Sequence, residues 1–330
     1  MSVIPRLVIL LALLLVTACA PVEEPAGPTV TAPRVEPDKL MMSDGATLPL
    51  RSWLPDGPPR AVLIALHGMN DYSNAFDAAG KQLAQAGIAT YAYDQRGFGQ
   101  GPHPGVWTGT DTLVRDLKEA RDILSARHPG APVYVLGESM GGAVAMVARA
   151  QSEPLPVEGA ILLAPAVWGR ANMNVFERSA LWLAAHAMPW AHLSAEGIKI
   201  TPSDNVEMLR ALGRDPLVLK KTRADAVWGL VNLMDEAYDE AGRVRGPVLM
   251  LYGKKDEIIP KEPSFEVMRR LGPQARIAYY DNGYHMLARD LEGATVIADM
   301  AAWIFDRQAP LPSGADESAK KLLPANFPNR

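Results

Sequence analysis

The sequence predicts an α/β fold, a mostly parallel sheet with helices on both faces and a helical insertion capping it. Two observations carry this. Six short apolar runs, "AVLIALH" (61–67), "IATYAYD" (88–94), "PVYVLG" (132–137), "GAILLAP" (159–165), "PVLMLYG" (247–253) and "ARIAYY" (275–280), are separated by helix-patterned segments. Runs that are apolar without alternation suit strands buried on both faces. Between the second and third, Leu113, Leu117, Ala120 and Leu124 fall on one helical stripe, as a helix covering such a sheet requires. The second observation is the interruption of this rhythm. Residues 166–246 hold several helical segments, no good strand, and four of the seven tryptophans (Trp168, Trp182, Trp190 and Trp228), which reads as the cap.

The folded body is expected over 39–308, and each flank has its own character. The start, "MSVIPRLVILLALLLVTAC", carries Arg6, an apolar run over 7–16 and then small residues, the layout of a secretion signal over 1–18. Ten apolar residues make a helix only about 15 Å long, too short for a hydrocarbon core of about 30 Å. The stretch "VTAC" resembles the lipobox of bacterial lipoproteins. That resemblance implies cleavage before Cys19, lipidation of its thiol and a place in the bacterial envelope. Ala20 stands where an inner-membrane retention signal has aspartate, so the outer membrane, facing the periplasm, is expected. From 19 to 38 the chain carries five prolines and few large apolar residues, and is expected to be an extended tether holding the body up to roughly 55 Å from the bilayer. The proline-rich, polar stretch 309–330 is expected to be a disordered tail.

Composition narrows the function classes. A net charge of -4 without a basic stripe argues against nucleic acid as a partner. The six histidines are dispersed and Cys19 is the only cysteine, so neither a metal cluster nor a cofactor is expected. Nothing in the sequence sets an oligomeric state.

What remains is nucleophilic chemistry. "GESMGG" (137–142) places Gly137, Ser139 and Gly141 as G-x-S-x-G between a strand and the helical "MGGAVAMVARAQ". A tight strand-to-helix turn there exposes the serine hydroxyl above the sheet edge. A serine needs a base, and the base an acid to orient it. "YGKKDEIIP" puts Asp256 on the loop after the fifth run, and "DNGYHMLARD" puts His285 on the loop after the sixth, giving the chain order Ser, Asp, His. Glu257 and Asp281 are neighbouring carboxylates, but Asp281 falls at a strand end. An oxyanion needs two donors, expected from the backbone N–H of Met140, after the nucleophile, and of Met69 in "LHGMN". His67 in that loop reads as a brace for the turn.

"LHGMN", "YDQRGFGQG" (93–101), "GESMGG", "YGKKDEIIP" and "GYHMLARD" together resemble the monoacylglycerol lipase and lysophospholipase group of α/β hydrolases, sometimes classed with serine aminopeptidases. The resemblance covers 39–308. It implies the α/β-hydrolase fold and hydrolysis of a lipid-like ester: a monoacylglycerol first, a lysophospholipid second. That group often has histidine where Glu138 stands. Asp94, Arg96, Gly97 and Gly99 look like its structural turn. Two alternatives stay open: an aminopeptidase holding the substrate amine with cap carboxylates such as Glu177, Glu196, Asp204 and Glu207, and a non-catalytic envelope lipoprotein.

The cap segment "FERSALWLAAHAMPW" sets Phe176, Ala180, Leu183, Ala184 and Ala187 at helical spacing, with Leu181, Trp182, Met188 and Trp190 as additional apolar surface. Trp182, Leu183 and Trp190 are therefore expected to wall an acyl site over Ser139, at about 0.8 kcal/mol per buried methylene.

Overall fold

The computed structural model describes residues 20–194 and 199–322. Three short strands, β1 (Arg34–Glu36), β2 (Lys39–Met41) and β3 (Thr47–Trp53), form an antiparallel edge, and β3 joins it to the rest of the sheet. The first four apolar runs become β4 (Ala61–Leu66), β5 (Ile88–Tyr93), β6 (Val133–Glu138) and β7 (Gly159–Leu163). Between β7 and the next strand of the main sheet the chain builds the cap, whose two-residue strands β8 (His192–Leu193) and β9 (Thr222–Arg223) pair only with each other. The last two runs are β10 (Val248–Gly253) and β11 (Ala275–Tyr280), and the nine-stranded order is β1-β2-β3-β5-β4-β6-β7-β10-β11. From β5 to β11 every neighbouring pair is parallel.

Parallel strands are covered on both faces, and β4 shows how this sequence does it. Val62, Ile64 and Leu66 join one core with Leu113, Leu117, Ala120 and Leu124 of α2 (Thr110–Arg127) and with α3 (Met140–Ala150), which is buried throughout. Ala61, Leu63 and Ala65 join a second core with Leu83 of α1 (Asp77–Gln85) and, from near the C-terminus, with Val296, Met300 and Trp303. The cap contributes α4 (Val175–Ala187), α5 (Val206–Arg214) and α6 (Ala224–Asp239); α7 (Lys261–Leu271) and α8 (Gly293–Phe305) complete the body.

Both flanks depart from expectation. The presumed tail makes α9 (Ala315–Leu322), with Ala315 and Ala319 buried one turn apart, an Arg276–Asp316 ion pair of 3.1 Å, and Ser313 bonded through its N–H to Asp299 at 3.0 Å. Ala315, Ala319 and the buried, Arg276-paired Asp316 together dock a helix whose composition otherwise reads as solvated. Residues 323–330 lie outside the described residues, as do the expected signal and Cys19.

The presumed tether is a strap. Glu24 N–H donates to Trp107 O (2.9 Å), Thr108 Oγ1 to Glu24 O (2.7 Å), Ala26 N–H to Thr112 Oγ1 (3.0 Å), Gly27 N–H to Asp44 Oδ2 (3.1 Å) and Arg115 Nη1 to Gly27 O (2.8 Å). An extended, proline-broken chain leaves its remaining N–H and C=O groups free to bond sideways, and here the body supplies the partners. Asp44 also holds Arg96 through contacts of 2.7 and 3.0 Å, while Asp116 takes the same guanidinium at 2.7 and 2.9 Å. Burial pushes the Asp44 carboxyl up, but Arg96 and the amides of Ala46 and Gly27 outweigh it and hold the group down at about 2.

Candidate active site

The turn from β6 to α3 is built by close approach. A Cβ on Gly137 would sit well inside contact with the backbone of Gly141 and Gly142, and one on Gly141 would strike the backbone of Leu66. Only glycine lets the helix start this near the strand. Ser139 between them has φ 52 and ψ -115, a backbone conformation unfavourable for a residue with a Cβ. Its N–H donates to Leu163 O at 2.9 Å, and its carbonyl accepts from Ala166 at 2.9 Å, so β7 and the start of the cap clamp the strained turn.

Asp256 and His285 come together from the loops after β10 and β11. His285 Nδ1 lies 2.8 Å from Asp256 Oδ2, and both side chains are buried. The other oxygen, Oδ1, accepts from the N–H groups of Ile258 (2.8 Å) and Ile259 (2.9 Å), which fixes the carboxylate. The competing acids are engaged elsewhere: Asp281 pairs with Lys254 at 3.0 Å on the surface, and Glu257 accepts from Thr201 N–H at 2.7 Å.

Ser139 and His285 line one cavity of about 360 Å³. Its remaining wall is largely apolar, made by Trp168, Met173, Ile258, Ile259 and one face of α6: Val227, Leu230, Val231 and Met234. Met69 lines it too, and Met140 is the buried first residue of α3. Among the described residues, neither of their N–H groups donates to a protein acceptor.

His67 is fully buried, with both ring nitrogens committed. Gln95 N–H donates to Nε2 (3.0 Å), so Nδ1 carries the proton and donates to Gly68 O (2.9 Å). Burial lowers its pKa, against the opposing pull of the Gly68 carbonyl and of Asp71, Asp94 and Glu138. Folded pKa below unfolded pKa means that stability present above about 6.5 is lost as pH falls, because the unfolded chain takes up a proton that the native one refuses. His67→Gln should flatten the acid limb of a stability-versus-pH curve by up to about 1.4 kcal/mol per pH unit. Urea titrations from pH 7 down to 5 measure it.

The expected acyl wall is elsewhere. Trp182, Leu183 and Trp190 do not line the cavity; they are 53%, 58% and 56% exposed. In α4 only Ala185 is buried, so the apolar stripe anticipated from its spacing exists but faces outward. The physical reason is layering: α6 already roofs the site, and α4 stacks on α6 from outside. Helical spacing shows that a stripe exists, not what it faces.

A buried charge cluster was also missed. Arg289, four residues after His285, donates to Asp71 Oδ2 (2.7 Å) and Glu138 Oε1 (2.8 Å), and all three residues line the cavity. Glu138 adjoins the nucleophile turn, and Asp71 adjoins the Met69 loop. The signal was present in the departure from histidine at 138, which leaves a buried carboxylate in need of a cation.

Comparison with known proteins agrees with this architecture. The chain is 26% identical to human monoglyceride lipase over 282 residues, covering 82% of this chain and 90% of that one. It is 27% identical to monoacylglycerol lipase of Mycolicibacterium smegmatis over 258 residues, 76% of this chain and 90% of that one. The crystal structure of a soluble variant of monoglyceride lipase from Saccharomyces cerevisiae, in complex with a substrate analog, superposes with a TM-score of 0.69 at 20% identity, covering 87% of this chain and 99% of that one, which is a likeness of fold. The family model described as Serine aminopeptidase, S33 matches residues 57–292, from just before β4 to the start of α8 and thus across the serine turn, the cap and the Asp–His pair, so the chain belongs to that family of α/β hydrolases.

Proposed function

We propose that this chain hydrolyses carboxylic esters of single-chain lipids, monoacylglycerols foremost, through an acyl-enzyme on Ser139. The observation that carries it is the cavity: an apolar wall from α6 meets a strained serine and a histidine already held by an aspartate. With Nδ1 bound to Asp256, His285 has Nε2 available as the base. As Ser139 Oγ attacks the ester carbon, Nε2 takes the hydroxyl proton, and the carbonyl oxygen becomes an oxyanion held by the N–H groups of Met69 and Met140. Collapse breaks the ester bond, and His285 returns the proton to the departing glycerol oxygen. Water, deprotonated by the same nitrogen, then attacks the acyl-serine and releases the fatty acid.

The family description names an aminopeptidase, but the carboxylates here favour an ester. Asp71 and Glu138, the two that line the cavity, are both bound to Arg289. Glu177 belongs to the α4 capping box, Asp204 accepts from Leu291 N–H, and Glu207 pairs with Arg210 on the surface; Glu196 lies outside the described residues. No unpaired carboxylate among the described cavity residues awaits a substrate ammonium.

The lipobox supports lipidation of Cys19 and residence in the bacterial envelope, at the outer membrane. Metabolic labelling with an alkyne fatty acid should tag the wild type and not Cys19→Ala.

For monomeric monoacylglycerols, each two-carbon extension should raise kcat/KM roughly tenfold until the cavity is full. Leu230→Trp should truncate that series at shorter chains, while Trp182→Ala and Trp190→Ala should leave it unchanged. A flat chain-length profile in the wild type, or equal truncation by the outer tryptophans, would refute the α6 wall.

A further inference from the structure

We propose that Asn70 is a positioning residue through which the cap holds the oxyanion loop, so that the segment leading into α6, the helix that walls the cavity, also fixes the N–H of Met69. The proposal deepens the esterase reading and rests on it. Its first element is how that N–H is aimed. In a trans peptide the C=O and the N–H point opposite ways. His67 Nδ1 donates to Gly68 O at 2.9 Å, which turns the N–H of the same peptide, that of Met69, away from the His67 ring. Gly68 packs so near the nucleophile that a Cβ on it would lie 3.3 Å from the Ser139 Cβ. One side of Met69 is therefore braced from within the body. On its other side the chain passes directly into Asn70.

The second element is what holds Asn70. Its carbonyl accepts from Leu219 N–H at 2.9 Å, and its Nδ2 donates to Thr222 Oγ1 at 2.6 Å. Two residues further on, the Tyr72 hydroxyl donates to Asp215 Oδ2 at 2.7 Å. All three partners lie in the stretch of cap between α5 and α6, and Thr222 stands just before α6 begins. Packing alone does not hold the loop here, since Met69, Asn70, Leu219, Thr222 and Ala226 line a small gap. The third element is what the arrangement costs. Asn70 has φ 66, in the left-handed region, and its Oδ1 is buried without a hydrogen-bond partner among the described residues. Asparagine tolerates that region better than most residues, but glycine would avoid both penalties. A strained backbone and an orphaned polar atom kept beside a nucleophile point to a demand of the chemistry rather than of stability.

The test uses the full chain and compares Asn70→Gly, Thr222→Val, the two together, and Thr222→Ser. Asn70→Gly keeps the left-handed turn and the carbonyl bond to Leu219 but deletes the side-chain bond. Thr222→Val removes the same bond from the cap side at nearly the same size. Each should lower kcat for a monoacylglycerol and for a soluble p-nitrophenyl ester by roughly 10- to 100-fold at near-normal KM, the cost of a misplaced oxyanion donor. The double variant should fall no further than the single ones, because both cut one bond. Thr222→Ser retains the hydroxyl and should keep the wild-type kcat. A long-chain alkyl trifluoromethyl ketone reads the oxyanion itself: Ser139 Oγ bonds its carbonyl carbon, the hydroxyl proton passes to His285, and the carbonyl oxygen takes the negative charge. In Asn70→Gly its affinity should drop in step with kcat, while affinity for an unreactive alkyl glyceryl ether should not move. The melting temperature of Asn70→Gly should stay close to that of the wild type, as relief of the two penalties offsets the added chain entropy. A lowered melting temperature with kcat unchanged would give Asn70 a packing role only and overturn the proposal, as would losses that multiply in the double variant or equal loss of ketone and ether affinity. A wild type that turns over neither ester overturns it together with the esterase reading, whereas an active wild type matched by an equally active Asn70→Gly overturns this proposal alone.

Discussion

Ser139→Ala is expected to lower kcat for ester hydrolysis by a factor on the order of 10⁵ to 10⁶ with the fold intact, since a triad acts as a unit and its nucleophile has no substitute. The loss should appear in kcat and kcat/KM together, because the hydroxyl reacts and contributes little to binding. Alanine keeps the Cβ and therefore the strain of φ 52 and ψ -115. Ser139→Gly should be as inactive but better adapted to that backbone. Relief of about 1–3 kcal/mol of strain is set against about 0.5–1 kcal/mol of added chain entropy, so the glycine variant should be the more stable of the two. Equal melting temperatures for the two variants would mean that the turn stores no strain.

The second large effect is expected at Arg289. Its guanidinium joins Glu138, next to the nucleophile, to Asp71, next to the Met69 loop, and its own backbone continues the His285 loop. Arg289→Met should destabilise by about 3–5 kcal/mol, chiefly because two buried carboxylates lose their counter-ion. Neutralising all three, as Asp71→Asn/Glu138→Gln/Arg289→Met, should restore much of that stability. Activity should not return with it. Without the clamp the three loops are free to shift, and a displacement of about 1 Å costs roughly 10²-fold in rate. Low kcat at near-normal KM in the refolded triple variant marks Arg289 as a positioning residue; normal kcat would reduce it to a packing role.

The sequence foretold what rests on local periodicity and local turns. All six parallel strands and the α2 stripe were legible because apolar runs have few alternatives, and the serine turn because glycine at 137 and 141 answers a steric demand. The antiparallel strands β1 to β3 were not: β3 contains Pro49 and buries only Leu48 and Leu50, so it lacks the continuous apolar run that marks the parallel strands. Contacts between distant segments were least visible. The strap's partners lie near Asp44, Trp107, Thr112 and Asp225, and the facing of α4 depends on α6, which no window on α4 contains.

The most direct test of the central claim is to trap the nucleophile as a phosphonyl-serine, fluoride leaving as the serine oxygen bonds phosphorus. The protein is incubated with a long-chain fluorophosphonate, its intact mass taken and its peptides mapped. One adduct should form, on the peptide carrying Ser139, with loss of monoacylglycerol hydrolysis in proportion to labelling and no adduct in Ser139→Ala. Monoacylglycerol hydrolysis that persists in the fully labelled protein, or an adduct on any other residue, would contradict it.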